Sequence, residues 1–105
     1  MTYSVEAAPK AEAQLKSLPK AEAKRILVKL ASLANDPRPP KSEQLSGSPP
    51  FRRIRVGDYR IIYAVDEAAM TVIVARVRRR KDAYRDLDQL DLATMIDALR
   101  KRRGR

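Results

Sequence analysis

The chain has no cysteine, no histidine and no tryptophan, and only three glycines and one phenylalanine among its 105 residues. Without cysteine, neither a disulfide framework nor a thiolate metal site can form. Without histidine, the commonest metal ligand and the usual acid–base group near neutral pH are both missing. Any catalysis must then rest on carboxylates, tyrosine, or a field of arginines and lysines. Long apolar runs are also absent. No segment approaches the length needed to span a bilayer, and the N-terminus carries no signal-like apolar stretch. The expectation is a cytoplasmic protein with no membrane role.

Positive charge is abundant. Lysine and arginine number 23 against 13 aspartates and glutamates, a formal charge of +10. Such an excess on a short chain predicts long-range attraction to a polyanion. The length fits a single domain over residues 1–105, with one modest core in about 3–84 and a C-terminal helix and basic tail in 85–105.

The most informative stretch runs from Phe51 to Tyr63 and reads as a β-hairpin. Gly57-Asp58 sits where a tight two-residue turn fits, between apolar residues able to pair across a ladder. The implied register sets Val56 opposite Tyr59, Arg55 opposite Arg60, Ile54 opposite Ile61 and Arg53 opposite Ile62. Alternation then gives Ile54, Val56, Tyr59, Ile61 and Tyr63 one face and Arg53, Arg55 and Arg60 the other. Like charges opposed across strands repel, so this crowding has no structural benefit of its own. A cationic sheet face of this kind suits phosphate, and so nucleic acid.

Around the hairpin, Tyr3 to Glu6 reads as a short strand. Pro9 opens a helix reaching about Leu18, and Pro19 interrupts it or starts another. In that second helix Ala23, Ile26, Leu27, Leu30, Ala31, Leu33 and Ala34 mark an apolar face, and Asn35-Asp36-Pro37 ends it. Two antiparallel helices covering one face of a sheet are expected. Arg38 to Pro50 is a polar loop with Leu45 as its single anchor, and Asp66 to Ala69 is a turn. Met70 to Val77 is the strongest β run. Its period turns inward either Ile73, Ala75 and Val77 or Val72 and Val74; the first is preferred because it sends Arg76 and Arg78 to the cationic face. Leu92, Met95, Ile96 and Leu99 have helical spacing. No carboxylate cluster has metal-binding spacing, and no cofactor is expected. Arg78-Arg79-Arg80-Lys81 follows the last strand, and Tyr84 offers a ring able to stack on an exposed base.

At these residues the chain resembles the RelE family of bacterial toxins, within the RelE/ParE superfamily. The matching pieces are Phe51 to Tyr63 and Arg80-Lys81-Asp82-Ala83-Tyr84, with Leu18-Pro19, Asn35-Asp36-Pro37 and Leu45-Ser46-Gly47 in the family layout. The resemblance spans about Tyr3 to Tyr84. It implies an α+β fold: an N-terminal strand and two helices packed on a small antiparallel sheet, with a short C-terminal helix. It also implies a toxin that enters the ribosomal A site and cuts messenger RNA without a metal. In that chemistry the 2′-hydroxyl attacks the adjacent phosphate and leaves a 2′,3′-cyclic phosphate and a 5′-hydroxyl. The implied partners are a cognate antitoxin, the ribosome with its messenger, and operator DNA through the antitoxin complex.

By position, the resemblance makes Arg55, Arg60, Arg80 and Tyr84 the catalytic set beside Arg53, which binds RNA, and the reading of the cationic face adds Arg76, Arg78, Arg79 and Lys81 as further RNA-binding residues. Arg55 and Arg60 would hold the scissile phosphate, Arg80 would neutralise the departing 5′-oxygen, and Tyr84 would orient the nucleotide. The sequence departs from the family at Arg79, where relatives commonly carry histidine, and a general base is not evident. Two other functions stay open: a ParE-like inhibitor of DNA gyrase on the same scaffold, and a noncatalytic nucleic-acid-binding corepressor.

Overall fold

The computed structural model describes residues 2–45, 50–79 and 92–103. Strand β1 (Ser4–Ala7) leads into helix α1 (Pro9–Lys16) and helix α2 (Lys20–Leu33). Strands β2 (Glu43–Gln44), β3 (Arg52–Val56), β4 (Tyr59–Asp66) and β5 (Thr71–Arg79) follow, and helix α3 (Leu92–Arg103) comes last. The sheet order is β1-β5-β4-β3-β2, antiparallel except where β1 runs parallel to β5. That pairing joins strands distant in sequence, as a parallel pair requires. The architecture is the expected α+β fold. Among the described residues, no helix is long and apolar enough to cross a membrane.

Prolines start both N-terminal helices: Pro9 occupies the first turn of α1, and Pro19 is the N-cap of α2. The β3–β4 hairpin has the register expected from alternation, Val56 opposite Tyr59 through Arg53 opposite Ile62. Gly57 takes φ 57°, and Asp58 has no positive φ, the pattern of a type II′ turn with glycine first.

Each face of the sheet has its own core. Ile54, Tyr59, Ile61 and Tyr63 of the hairpin meet Val72, Val74 and Val77 of β5 under Ala11 of α1 and Ile26, Leu30 and Leu33 of α2. On the opposite face Phe51, Ile62, Ala64, Ile73 and Ala75 pack with Leu45 and with Met95 and Leu99 of α3. The Tyr63 hydroxyl donates to the carbonyl of Pro37 at 2.7 Å, tying the chain after α2 to β4. Beyond the end of β1, Gln14 Oε1 accepts the Val77 N–H at 2.8 Å, so α1 satisfies an edge that β1 has left.

Three expectations are corrected. In β5 the helix-side residues are Val72, Val74 and Val77, whereas Ile73 and Ala75 face the other way. The reason is a β-bulge: Ile62 pairs with Arg76 and Tyr63 with Val74, leaving Ala75 as an extra residue that shifts the alternation. In α2 the buried side chains are Ile26, Leu30 and Leu33, while Leu27 is 54% exposed. The apolar arc of the helix is wider than the strip the sheet can cover. The loop before the hairpin contains β2, a strand too short for any periodic signal, which pairs Glu43 with Arg53 and Gln44 with Arg52.

A surface network closes the far end of the sheet. Glu67 accepts a hydrogen bond from the Tyr3 hydroxyl at 2.9 Å and pairs with Arg38 at 2.7 Å. The bond from Arg38, and then that from Tyr3, holds the Glu67 carboxyl below the usual glutamate range. The same bond to Glu67, followed by desolvation, raises the Tyr3 phenol above its ordinary value.

Ile61 is fully buried in the helix-side core, so Ile61→Ala should destabilise the fold by about 2–5 kcal/mol in urea unfolding. Glu67 has a depressed folded-state pKa, so its contribution is complete above the unfolded glutamate value and disappears as pH falls through the lower folded one. Glu67→Gln should therefore lower the melting temperature slightly at neutral pH, and the gap to the parent should close in acid.

Candidate nucleic-acid interface

The hairpin places arginines on the face away from α1 and α2, and β5 brings more to meet them. Arg55 of β3 lies opposite Arg60 of β4, and Arg60 lies opposite Arg78 of β5, so three arginines cross three adjacent strands in one row. A second row runs Arg53, Ile62, Arg76. Neighbouring strands sit about 4.8 Å apart, close enough for the guanidinium groups of one row to converge on a single phosphate.

These arginines differ in exposure. Arg55 is exposed and Arg78 is half-buried, while Arg60 and Arg76 are each only 6% exposed. Arg60 donates to the Tyr59 carbonyl at 3.3 Å and Arg76 to the Ala75 carbonyl at 2.7 Å, each bonding the residue before it. Their stems therefore fill space between the charged row and the second core, as long cationic side chains do beside apolar surface. Arg53 forms an ion pair of 2.7 Å with Glu43 of β2. The face expected to be cationic is thus divided, with an arginine end near the hairpin turn and an apolar end under α3.

Of the residues singled out from the sequence, Arg53, Arg55, Arg60, Arg76 and Arg78 come together on this face. Arg79 lies opposite Tyr59, on the helix side of the register, and is exposed. Arg80, Lys81 and Tyr84 lie outside the described residues. Sequence reasoning missed Glu43, Lys29 and Lys41. Because β2 pairs only with Arg52 and Arg53, the edge of β3 from Ile54 onward borders an open cleft of about 590 Å³, lined by Lys29, Lys41, Glu43, Arg53 and Arg55. The lysine on α2 has no motif around it, and only the fold brings it to β3. Among the described residues, no group of three or more acidic residues could hold a metal ion.

A row of permanently charged guanidiniums can bind phosphate and stabilise charge gathering on its oxygens, but it is poorly suited to carrying protons. Comparison with known proteins agrees with the fold. The family described as ParE toxin of type II toxin-antitoxin system, parDE, matches residues 5–84. The archaeal RelE in the RelE–RelB complex of Pyrococcus horikoshii is 32% identical, covers 76% of this chain and 97% of its own, and superposes with a TM-score of 0.67. The chain belongs to the ParE toxin family, within the RelE/ParE superfamily. It is RelE-like in structure: in the RelBE2 toxin–antitoxin complex of Mycobacterium tuberculosis the matching chain is 26% identical over 76% of this chain and all of its own, with a TM-score of 0.66. A free-state Escherichia coli RelE variant, 19% identical, shares the fold over 96% of this chain and 98% of its own (TM-score 0.70).

Glu43 competes with any bound phosphate for Arg53. Glu43→Ala should tighten binding of a single-stranded oligouridylate, as read by fluorescence anisotropy across a salt series. The log–log salt dependence should steepen by about 0.7 for each further phosphate that the freed arginine neutralises.

Proposed function

We propose that this chain is the toxin of a type II toxin–antitoxin pair and cleaves messenger RNA in the ribosomal A site. The observation that carries this reading is the Arg55–Arg60–Arg78 row, three cations opposed across three adjacent strands. The antitoxin as partner is supported by the relatives crystallised as RelE–RelB and RelBE2 complexes.

The chemistry consistent with such a site is transesterification within the RNA. The 2′-oxygen attacks the adjacent phosphorus, the bond from phosphorus to the 5′-oxygen breaks, and a 2′,3′-cyclic phosphate forms. The proton lost from the 2′-hydroxyl goes to solvent or a ribosomal group, and the 5′-oxygen leaves as a hydroxyl after taking up a proton. Arg55 and Arg60 hold the phosphate and offset its growing negative charge. The remaining acceleration comes from alignment of the 2′-oxygen in line with the leaving group, which the ribosome-bound messenger supplies as substrate geometry. Arg53, Arg76 and Arg78 extend the RNA-binding surface. Lys81 would add contacts to flanking nucleotides, Arg80 would stabilise the leaving oxygen, and Tyr84 would stack on a base, whereas Arg79, on the helix side of the register, would stand apart from this surface. Through its antitoxin, the complex would also reach operator DNA.

The family description favours one other reading, inhibition of DNA gyrase by a ParE-like toxin on the same scaffold. That reading does not require a phosphate-binding row. A noncatalytic corepressor would need only the net charge.

The deciding experiment is a purified translation reaction on a defined messenger, with cuts mapped by primer extension, with and without ribosomes. Arg55 is exposed, so Arg55→Ala should fold as the parent does while cutting about 100- to 1,000-fold more slowly, the loss typical of removing one donor to a developing oxyanion. Arg60 is the buried member of the row, so Arg60→Lys tests its charge geometry more cleanly than alanine. Arg80→Ala should likewise relieve growth arrest. Ribosome-dependent cuts at the A-site codon, lost in Arg55→Ala, would establish the nuclease. Intact messenger together with loss of gyrase supercoiling would establish the alternative.

A further inference from the structure

The cleft beside β3 gathers cations from three parts of the chain. Lys29 comes from α2, Lys41 from the loop before β2, and Arg53 and Arg55 from β3. Among the described residues that line it, Glu43 is the one carboxylate, and it holds Arg53 at 2.7 Å. Lys29, Lys41 and Arg55 form no ion pair among the described residues. The floor is the uncovered edge of β3, because the pairing of β2 stops at Arg53. Such an edge turns backbone N–H groups outward, where an anion can meet them. At the hairpin turn the cleft ends on Gly57, which brings no side chain into the space. Arg25 of α2 lies over that turn, its Nη2 3.2 Å from where a Cβ on Gly57 would be.

We infer that this cleft is a second phosphate subsite, which takes the phosphodiester next to the one held on the arginine row. The link is Arg55. It ends the row on one side and lines the cleft on the other. Phosphates in the two places therefore flank one guanidinium, as neighbours along a strand can. The cleft volume of about 590 Å³ falls in the range of roughly 300–1,000 Å³ that accepts a small ligand. It has room for a nucleotide unit rather than a bare ion. A strand seated this way bends around the open edge of β3 from the arginine face toward α2. Lys29, Lys41 and Arg55 also line the groove along α2, so the cationic path continues there. Lysine suits such a path, because a flexible ammonium acts as a point charge and follows a phosphate without fixed geometry. An acidic peptide is the competing occupant. The cleft favours phosphate, since Ile54 is buried and Pro40 is the one exposed apolar side chain in its lining. That leaves little surface for the side chains between a peptide's carboxylates. The inference rests on the reading of the row as a phosphate site and adds the path of the strand away from it.

The test titrates the full-length chain with labelled octauridylate and labelled deca-glutamate, read by fluorescence anisotropy, with unlabelled tripolyphosphate as competitor. The variant carrying Lys29→Gln and Lys41→Gln should bind octauridylate about tenfold more weakly at about 50 mM salt. Its log–log salt dependence should be shallower by about 0.7, the loss of one neutralised phosphate. Arg78→Gln lies two strands from the cleft and reports on the row alone. Weakening in Arg78→Gln with none in the lysine variant would overturn the subsite and keep the row. Weakening in the lysine variant with none in Arg78→Gln would support the cleft and overturn the row instead. Octauridylate carrying one 4-thiouridine at each position in turn supplies a readout that needs no variant. After cross-linking and mass spectrometry, adjacent positions should mark the cleft and the row. Cross-links confined to the row would overturn the proposal. So would a loss in the lysine variant confined to deca-glutamate or to tripolyphosphate, which would make the cleft a site for acidic peptide or for free polyphosphate.

Discussion

Ala75 stands opposite no residue of β4, because Ile62 pairs with Arg76 and Tyr63 with Val74, and both faces of the sheet depend on that extra residue. Strict alternation along β5 would put Arg76 and Arg78 on the same side as Val72 and Val74, beneath α1 and α2. A guanidinium buried there without a carboxylate would cost several kcal/mol. The bulge lets Val77 rejoin the helix-side core and turns Arg76 and Arg78 toward Ile62 and Arg60. Arg76 then folds back on the bulge and donates to the Ala75 carbonyl at 2.7 Å. One inserted residue thereby makes a continuous core on one side compatible with a cluster of arginines on the other.

The arginine row does not hold itself together. Directly opposed like charges each disfavour pairing by about 0.2–1 kcal/mol. What fixes the register is the other face, where Ile54, Ile61 and Tyr63 are essentially inaccessible to solvent and each buried apolar side chain contributes about 1.5–3 kcal/mol. A one-residue slip would turn that whole set to the wrong side. The core thus outweighs the repulsion and holds Arg55, Arg60 and Arg78 closer than they would stand by themselves. The register that the core enforces sets these three arginines side by side before any anion arrives.

The hairpin was legible in the sequence because two independent signals coincided there, a glycine able to take a positive φ at the turn and clean alternation on both sides of it. The same alternation misled in β5, since nothing about an alanine in a run of β-branched residues marks it as a bulge. In α2 the period was legible but the width of the buried strip was not. Helical spacing says which residues share a side, and only the packed sheet decides that Ile26 and Leu30 are covered while Leu27 stays in water. The basic cleft was hidden for a related reason. Lys29, Lys41 and Arg55 belong to a helix, a loop and a strand, and their neighbourhood exists only after β2 stops short along β3. The ion pair of Glu43 with Arg53 was equally hidden, because β2 is too short to show a period.

The early end of β2 also opens the row to the helix side of the sheet. Arg55 borders both the cleft beside β3 and the groove along α2, so one exposed guanidinium of the row can be reached from two directions. The repulsion that makes the row receptive to a phosphate makes it equally receptive to a carboxylate, and Glu43 already holds Arg53 in that way one row further along the sheet.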